Sequence, residues 1–579
     1  MKFTKIEIQN FRNFEDVSVD LDNKNIFFGM NDIGKTNLLQ AIKFLFDKNT
    51  RKFGLLETDY YQLDTSKMIT ITVTIALQID QSTDLDEDSK KILAVFGQYL
   101  RSEDRNIKFK LESEYDQNEN ESQISLYCSG DSSDFAHIDI NSIYTSAIDR
   151  VFNVVYIDSY IDIKRLFNKN MKSLLNSSDN LEDELSKIQE IKQDVSEINK
   201  KIQNLPKVKK FSQKITTEFM SFNNNKEEVS LKSELLLNNI YSNLVPYLKE
   251  SDNDGLYPTS GEGRKKLLGY SLYKAISDIQ KEQKINIFLL EEPETNLHRA
   301  LQLSLSSILY NNVPFKYLFL TTHSPLMLSE MDNVNLVRIF RNGKKINSKS
   351  CLYKVNSIFN EKRKYLNKTL AESIFSKIVF LVEGPSEYEL FTHVLSLIKP
   401  NFELDGIYIL PVNGVAFNGY KQVYNALNIP FIIKTDNDLK KAKTEGNSDE
   451  YIALGFSRIN SLIEKDTLTE KFAIPDPSYS LVEEKRNLYE QNKDKLEKIQ
   501  KENHIFLSRC SLEEDLEETG ILKVLLVDKK TPVKYLKESK LYHMVELISN
   551  RKFDKNIANT IYNHPNFICL RDLLNYGNN

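Results

Sequence analysis

Four carboxylates at the ends of two short apolar runs are the residues of this chain best placed to do chemistry. The run IVFLV, Ile378 to Val382, ends in Glu383, a Gly-Pro turn, Ser386 at a helix N-cap position and Glu387. Further on, PFIIKTDND repeats the design, with Phe431 to Lys434 as a strand and Asp436 and Asp438 beyond its end. Ligands of an open α/β sheet sit outside the carboxyl ends of its strands, so these acids can converge on one hard cation or two. Asp and Asn also favour caps and turns, so DND alone reads as a turn. Its pairing with Glu383 at a second strand end favours metal.

A second constellation precedes it. Gly29-Met30-Asn31-Asp32-Ile33-Gly34-Lys35-Thr36 has the G-x-x-x-x-G-K-[ST] spacing, after the apolar run Ile26 to Phe28 and before an amphipathic stretch. Glycines let backbone N–H groups wrap phosphates at a helix N-terminus. Asn31 and Gly34 belong to that loop, Lys35 reaches the β and γ phosphates, and Thr36 ligates Mg²⁺. INIFLLEE supplies a buried strand ending in Glu291, at the Walker B metal position, and Glu292, placed as general base. The longer Glu where Asp is usual implies metal contact through water. YLFLTTHSP ends a further strand at His323, where an imidazole can sense a γ-phosphate or serve as an ordinary hydrogen-bonder. Ser260-Gly261-Glu262-Gly263 opens another helix with anion-binding character, although Ser260 reads equally as an N-cap.

The elements around the acids alternate. A helix through Glu389 to Ile398, a strand near Gly406 to Leu410, a turn at Val412-Asn413-Gly414 and a helix to Leu427 lead into the DND strand. That βαβα order implies an α/β fold with a small parallel sheet. The 579 residues exceed one hydrophobic core. A net charge of -5 removes the simplest argument for nucleic-acid binding, leaving local basic faces or metal ions bridging to phosphate. No stretch approaches the length of a membrane span, and MKFTKIEIQNF alternates like a strand rather than a signal peptide. Cys128, Cys351, Cys510 and Cys569 lack metal-ligand spacing and read as reduced thiols of a cytoplasmic protein.

Taken in order, FRNF, GMNDIGKT, SGEG, LLEEPE and TTHSP resemble the ABC-type ATPases of the RecF, SMC and Rad50 group. The resemblance implies that Ser260 caps, in trans, the nucleotide held by another subunit, and that Arg12 contacts nucleotide in cis. The set Glu383, Asp436 and Asp438 resembles the Toprim signature. With an ABC-type ATPase ahead of it, the pattern is similar to the OLD-family endonucleases, and FGMNDIGKTN, YPTSGEGRKK, EGPSE and YLKESKLYHMVEL resemble the nuclease subunits of Gabija anti-phage systems.

That resemblance implies a nucleotide-regulated endonuclease that nicks double-stranded DNA, with two Mg²⁺ or Mn²⁺ ions in the Toprim site and ATP with Mg²⁺ in the P-loop. Glu387 and, from CSLEEDLEE, Glu513, Glu514 and Asp515 become further ligands. Ser511 stands where close relatives carry Asp, and Lys540 offsets phosphate charge. A homo-oligomer, a dimer or a tetramer of dimers, and a helicase-like partner subunit are also implied. No covalent nucleophile is needed, and none of the 28 tyrosines stands in a singular context. Two other readings stay open: a RecF-like, ATP-switched DNA-binding mediator without nuclease activity, and an ATP-driven machine.

The expected domains are 1–160 and 231–350 for an ABC-type ATPase, 161–230 for a helical dimerisation insertion, and 351–579 for a Toprim domain with helical additions. The insertion shows an apolar seam at Leu181, Leu185, Ile188, Ile191, Val195, Ile198, Ile202 and Leu205, which Pro206 is expected to stop. It reads as a dimerisation hairpin or as a helical pair packed on its own domain. Glu484 to Asn503 reads as a solvated helical stretch without chemistry.

Overall fold

The computed structural model describes residues 1–577 outside 79–84, 133, 141–144, 159–186, 188–189, 192, 195, 199, 203, 223–246, 250–255, 259–260, 281–283, 312–314, 344, 356–362, 413–416, 442–449 and 474–479. Three larger sheets position the two constellations. The first is antiparallel, its strands running Phe14–Asp20, Lys2–Phe11, Ile69–Ala76, Asn106–Asp116, Glu121–Ser129, Ala136–Ile138 in spatial order. Alternation sets its faces: Phe3, Ile6 and Ile8 are buried while intervening residues are less so.

The second sheet runs Lys345–Tyr353, Val334–Asn342, Lys24–Phe28, Tyr317–Thr321, Ile285–Glu291, Phe152–Ile157. Only the Lys345–Tyr353 edge pairs antiparallel. Its inner strands Ile285–Glu291 and Tyr317–Thr321 are buried along nearly their whole length and mostly apolar because both faces are covered. The P-loop helix, Lys35–Phe46, is covered by both sheets, burying Leu38, Leu39, Ile42, Leu45 and Phe46. Phe3 meets Phe319 edge-on at 5.2 Å, and Phe46 meets Phe152 at 4.9 Å. Arg51 closes the far end of this helix. Its guanidinium donates to the Leu45 carbonyl at 2.8 Å and grips Asp149 through both carboxylate oxygens.

The third sheet is wholly parallel, ordered Ile407–Pro411, Ile378–Val382, Phe431–Thr435, Ile505–Leu507. Sequence reading supplied three of these strands and missed Ile505–Leu507, whose three residues are too few to show a period. Pro385 rather than Ser386 opens the following helix, Pro385–Ile398, with Gly384 as N-cap. Proline suits the first helical position because its missing N–H would be unpaired there anyway. Helices Lys540–Ile548 and Lys555–Asn563 pack on Pro385–Ile398, which carries Lys540 toward the strand ends.

The second and third sheets share one core. Ile26, Phe28 and Met327 cluster with Leu370, Ile374, Val379 and Tyr424, and the Phe28 and Phe375 rings meet at 5.8 Å. Much of the expected insertion, including Leu181, Leu185, Ile188 and Val195, lies outside the described residues. Within it, helical residues give way to a turn at Asn204 and Leu205, as expected of a run that stops at Pro206, and Pro206 itself opens the next helix, Pro206–Phe222, at a first-turn position. Ile191, Ile198 and Leu205 are exposed. The Glu484 to Asn503 stretch forms two helices, Leu481–Gln491 and Lys493–Asn503, broken at Asn492 and packed through Leu488, Leu496 and Ile499 rather than fully solvated.

Removing Arg51 strands Asp149 as an unpaired buried charge. Arg51→Ala is expected to destabilise the P-loop region by about 3–5 kcal/mol, read as a lower denaturant midpoint at unchanged m-value.

Candidate functional site

At the P-loop, backbone geometry dictates the residue types. Gly29 and Gly34 have φ of 151° and 106°, and a Cβ on Gly34 would lie 2.3 Å from the Asn13 side chain. Lys35 Nζ donates to the carbonyls of Gly29 at 3.2 Å and Met30 at 2.7 Å, and burial lowers its pKa against the pull of Glu292 and Asp32. Thr36 Oγ1 donates to Glu291 Oε1 at 2.5 Å, bringing the hydroxyl and the carboxylate of the Mg²⁺ expectation together. Tyr156 donates its hydroxyl to the other Glu291 oxygen. His323 Nε2 stands 3.6 Å from Glu292 Oε1, its pKa lowered by burial and by Lys35, which favours the neutral ring. Asn13, Asn31, Gly34, Lys35, Thr36, Glu292 and His323 all line one cleft of about 410 Å³.

Arg12 stands behind that cleft, donating to Asp59 at 2.8 Å and to Asn37 at 2.9 Å. Ser260 lies outside the described residues. Glu294, which motif reading passed over, is partly buried and accepts from the N–H groups of His323 and Ser324 and the hydroxyl of Thr322. It thereby fixes the turn that presents His323.

The third sheet gathers the acids. Glu383 follows Ile378–Val382, Asp436 and Asp438 follow Phe431–Thr435, and Glu513 comes from the first turn of helix Leu512–Glu518 beyond Ile505–Leu507. Burial raises the Asp436 pKa well above the ordinary carboxylate range, and the charges of Glu383, Glu387, Glu513 and Asp438 push it the same way. Glu387 is raised likewise by burial, then by Glu383. Burial works against the Lys540 charge, but Glu513, Asp436, Glu387 and Asp438 outweigh it and raise its pKa; its Nζ is 3.8 Å from Glu513. Five carboxylates and one ammonium therefore share a field, although no group of three or more potential ligands among the described residues has ready metal-holding geometry.

An unanticipated cation explains part of that geometry. Arg458, on helix Leu454–Ile463, donates to Glu383 and to Thr435 Oγ1 through Nη1, and reaches Asp438 Oδ2 at 3.2 Å through Nη2. Glu383 also accepts from the Asp436 N–H at 2.8 Å. Lys485, in the stretch read as lacking chemistry, lies 3.6 Å from Asp438. Neither basic residue sits in a recognisable motif, and only the fold brings it to the acids.

Ser511 donates to Glu513 at 2.5 Å and to Glu514, while Glu514 pairs with Lys537. Burial opposes ionisation of Glu514, yet Lys537 and Ser511 hold its pKa below the ordinary range. Asp515, expected among the metal ligands, is engaged elsewhere. Its Oδ2 pairs with buried Lys434 at 3.1 Å, and its Oδ1 accepts from the Arg509 N–H at 3.2 Å. Helical geometry accounts for this, since residues 513 and 515 cannot share a face.

A P-loop sheet pair fused through one core to a parallel sheet with acids at its strand ends defines the ATPase–Toprim class. Residues 1–245 and 158–328 match the family model "AAA ATPase domain", and residues 374–438 match "Overcoming lysogenization defect protein-like, TOPRIM domain". The chain is 39% identical over 583 residues to Endonuclease GajA of Bacillus cereus (strain VD045), covering 99% of each. It is 56% identical to the DNA replication and repair protein RecF of Lactococcus lactis subsp. cremoris (strain MG1363) over 46 residues, 8% of this chain and 13% of the relative. A solved Smc head bound to the C-winged helix domain of ScpA aligns with 61% of this chain and 98% of its own at 14% identity and a TM-score of 0.34. The chain belongs to the GajA endonuclease family.

Asp515→Ala leaves Lys434 charged and unpaired in the core, with an expected cost of about 3–5 kcal/mol. Melting temperature should fall equally in EDTA and in Mn²⁺; a drop confined to the Mn²⁺ sample would instead assign Asp515 to the ion.

Proposed function

We propose that this chain is a nucleotide-regulated, divalent-metal-dependent endonuclease that nicks double-stranded DNA in anti-phage defence. The observation carrying this reading is the convergence of Glu383, Glu387, Asp436, Asp438 and Glu513 from three strand ends on one field, with Lys540 at its rim. The donor set fits hard cations: it is all oxygen, and Asp436, buried among like charges, favours either a proton or a cation nearby. Glu383, Asp436 and Asp438 would hold one Mg²⁺ or Mn²⁺, and Glu387 and Glu513 a second, together supplying Lewis-acid charge for displacement at phosphorus. Ser511, donating to Glu513, orients that carboxylate where an aspartate is expected. Lys540, half exposed beside Glu513, offsets the negative charge that develops on the phosphate.

ATP with Mg²⁺ belongs in the P-loop cleft, with Thr36 and Glu291 on the ion, Glu292 and His323 facing the γ-phosphate, and Ser260 acting from a neighbouring subunit. Arg12 would steady nucleotide through Asn37, which lines the cleft. A cytoplasmic homo-oligomer, a dimer or a tetramer of dimers, working with a helicase-like partner, completes the reading. Among the described residues no helix is long and apolar enough to cross a membrane.

Purified protein with supercoiled plasmid and Mg²⁺ or Mn²⁺ is expected to give nicked circles. Glu383→Ala or Asp436→Ala should reduce this at least a hundredfold, and undiminished cleavage by either would sink the metal reading. Binding without cleavage under any metal would instead favour the RecF-like mediator. Lys35→Ala should retain cleavage but lose its response to added ATP. Identical ATP curves for mutant and wild type would mean that the halves are uncoupled.

A further inference from the structure

Arg458 is 12% exposed and donates to two of the carboxylates that the metal reading requires. Its contacts comprise Glu383, Thr435 Oγ1, the Asp436 carbonyl at 3.5 Å and Asp438 at 3.2 Å. The guanidinium thus bridges the ends of adjacent strands Ile378–Val382 and Phe431–Thr435. A divalent ion can take those oxygens only if the Arg458 side chain moves away from them.

Room for that movement exists on the same helix. Arg458 also lines a cleft of about 270 Å³ with Asn418, Ser457 and Ser461, whose side-chain oxygens can accept from a guanidinium. Lys540 differs. It sits at the more open rim, 55% exposed, and approaches Glu513 rather than the Glu383–Asp438 pair.

Resting on the metal reading above, we propose that Arg458 is a positioning residue: an internal cation that holds Glu383 and Asp438 together and competes with a divalent ion for their oxygens. To free those oxygens for an ion, the guanidinium would turn into the adjoining cleft. This device keeps repelling carboxylates assembled between turnovers, and it weakens metal affinity because the site must first surrender a bound positive charge.

The test uses full-length protein and Mn²⁺ without DNA. Electron paramagnetic resonance titration gives the Mn²⁺ affinity of wild type, Arg458→Gln and Arg458→Lys, with the Toprim-site ion identified as the one lost in Glu383→Gln. Arg458→Gln is expected to bind that ion at least tenfold more tightly, to melt lower in EDTA, and to gain more in melting temperature from Mn²⁺ than wild type does. Arg458→Lys, which keeps the charge but not the two-pronged geometry, should fall between them and remains informative if the glutamine variant does not fold. Equal or weaker Mn²⁺ binding by folded Arg458→Gln, or wild-type affinity in Arg458→Lys when the glutamine variant is unfolded, overturns the proposal. Wild type without a Glu383-dependent ion overturns the metal reading with it. A wild-type ion unmoved by Arg458 overturns the proposal alone.

Discussion

Like charges held close in a poorly solvated place are the constraint on which the carboxy-terminal half depends. Asp436 is buried, and four other carboxylates raise its pKa further. Such a cluster persists only if cations are built around it, and the fold draws them from separate places. Arg458 comes from helix Leu454–Ile463, Lys485 from helix Leu481–Gln491, Lys540 from the helical additions. The late helices therefore serve the parallel sheet electrostatically as well as sterically. Lys434 and Asp515 repeat the principle one layer deeper, where the Asp515 charge keeps Lys434 protonated against its burial.

The amino-terminal half solves a related problem with backbone. Its loop needs two glycines because Ile339 and Asn13 stand where a Cβ would go. The resulting bowl is closed by Thr36, Glu291 and Tyr156 in a chain of hydrogen bonds. Two strand-end residues, Glu292 and His323, face each other across it.

Much of this was legible in sequence where a local pattern has a local cause. The P-loop, the strands ending at Glu291, His323, Glu383 and Asp436, and the βαβα order all follow from apolar runs broken by glycine, proline or acids. Arg458 and Lys485 were not legible, since an arginine or lysine on a mixed helix looks solvated until its neighbours are known. Ile505–Leu507 escaped for want of length. Asp515 was misleading for a different reason: three consecutive acids suggest one purpose, while a helix turns them to different sides. Pro206 marks the break that was expected and also opens the helix after it, the half that the apolar seam did not reveal.

Phe28 is the residue immediately before the P-loop, and its ring rests on Phe375, three residues before the strand that presents Glu383. The seam between the halves is therefore core and not linker. Arg338 stitches it further by donating to the Leu427 and Asn428 carbonyls. The two halves are therefore not separable cassettes joined by a tether. An ATPase half with other residues at Phe28 and Arg338 would meet the Toprim half with a mismatched surface.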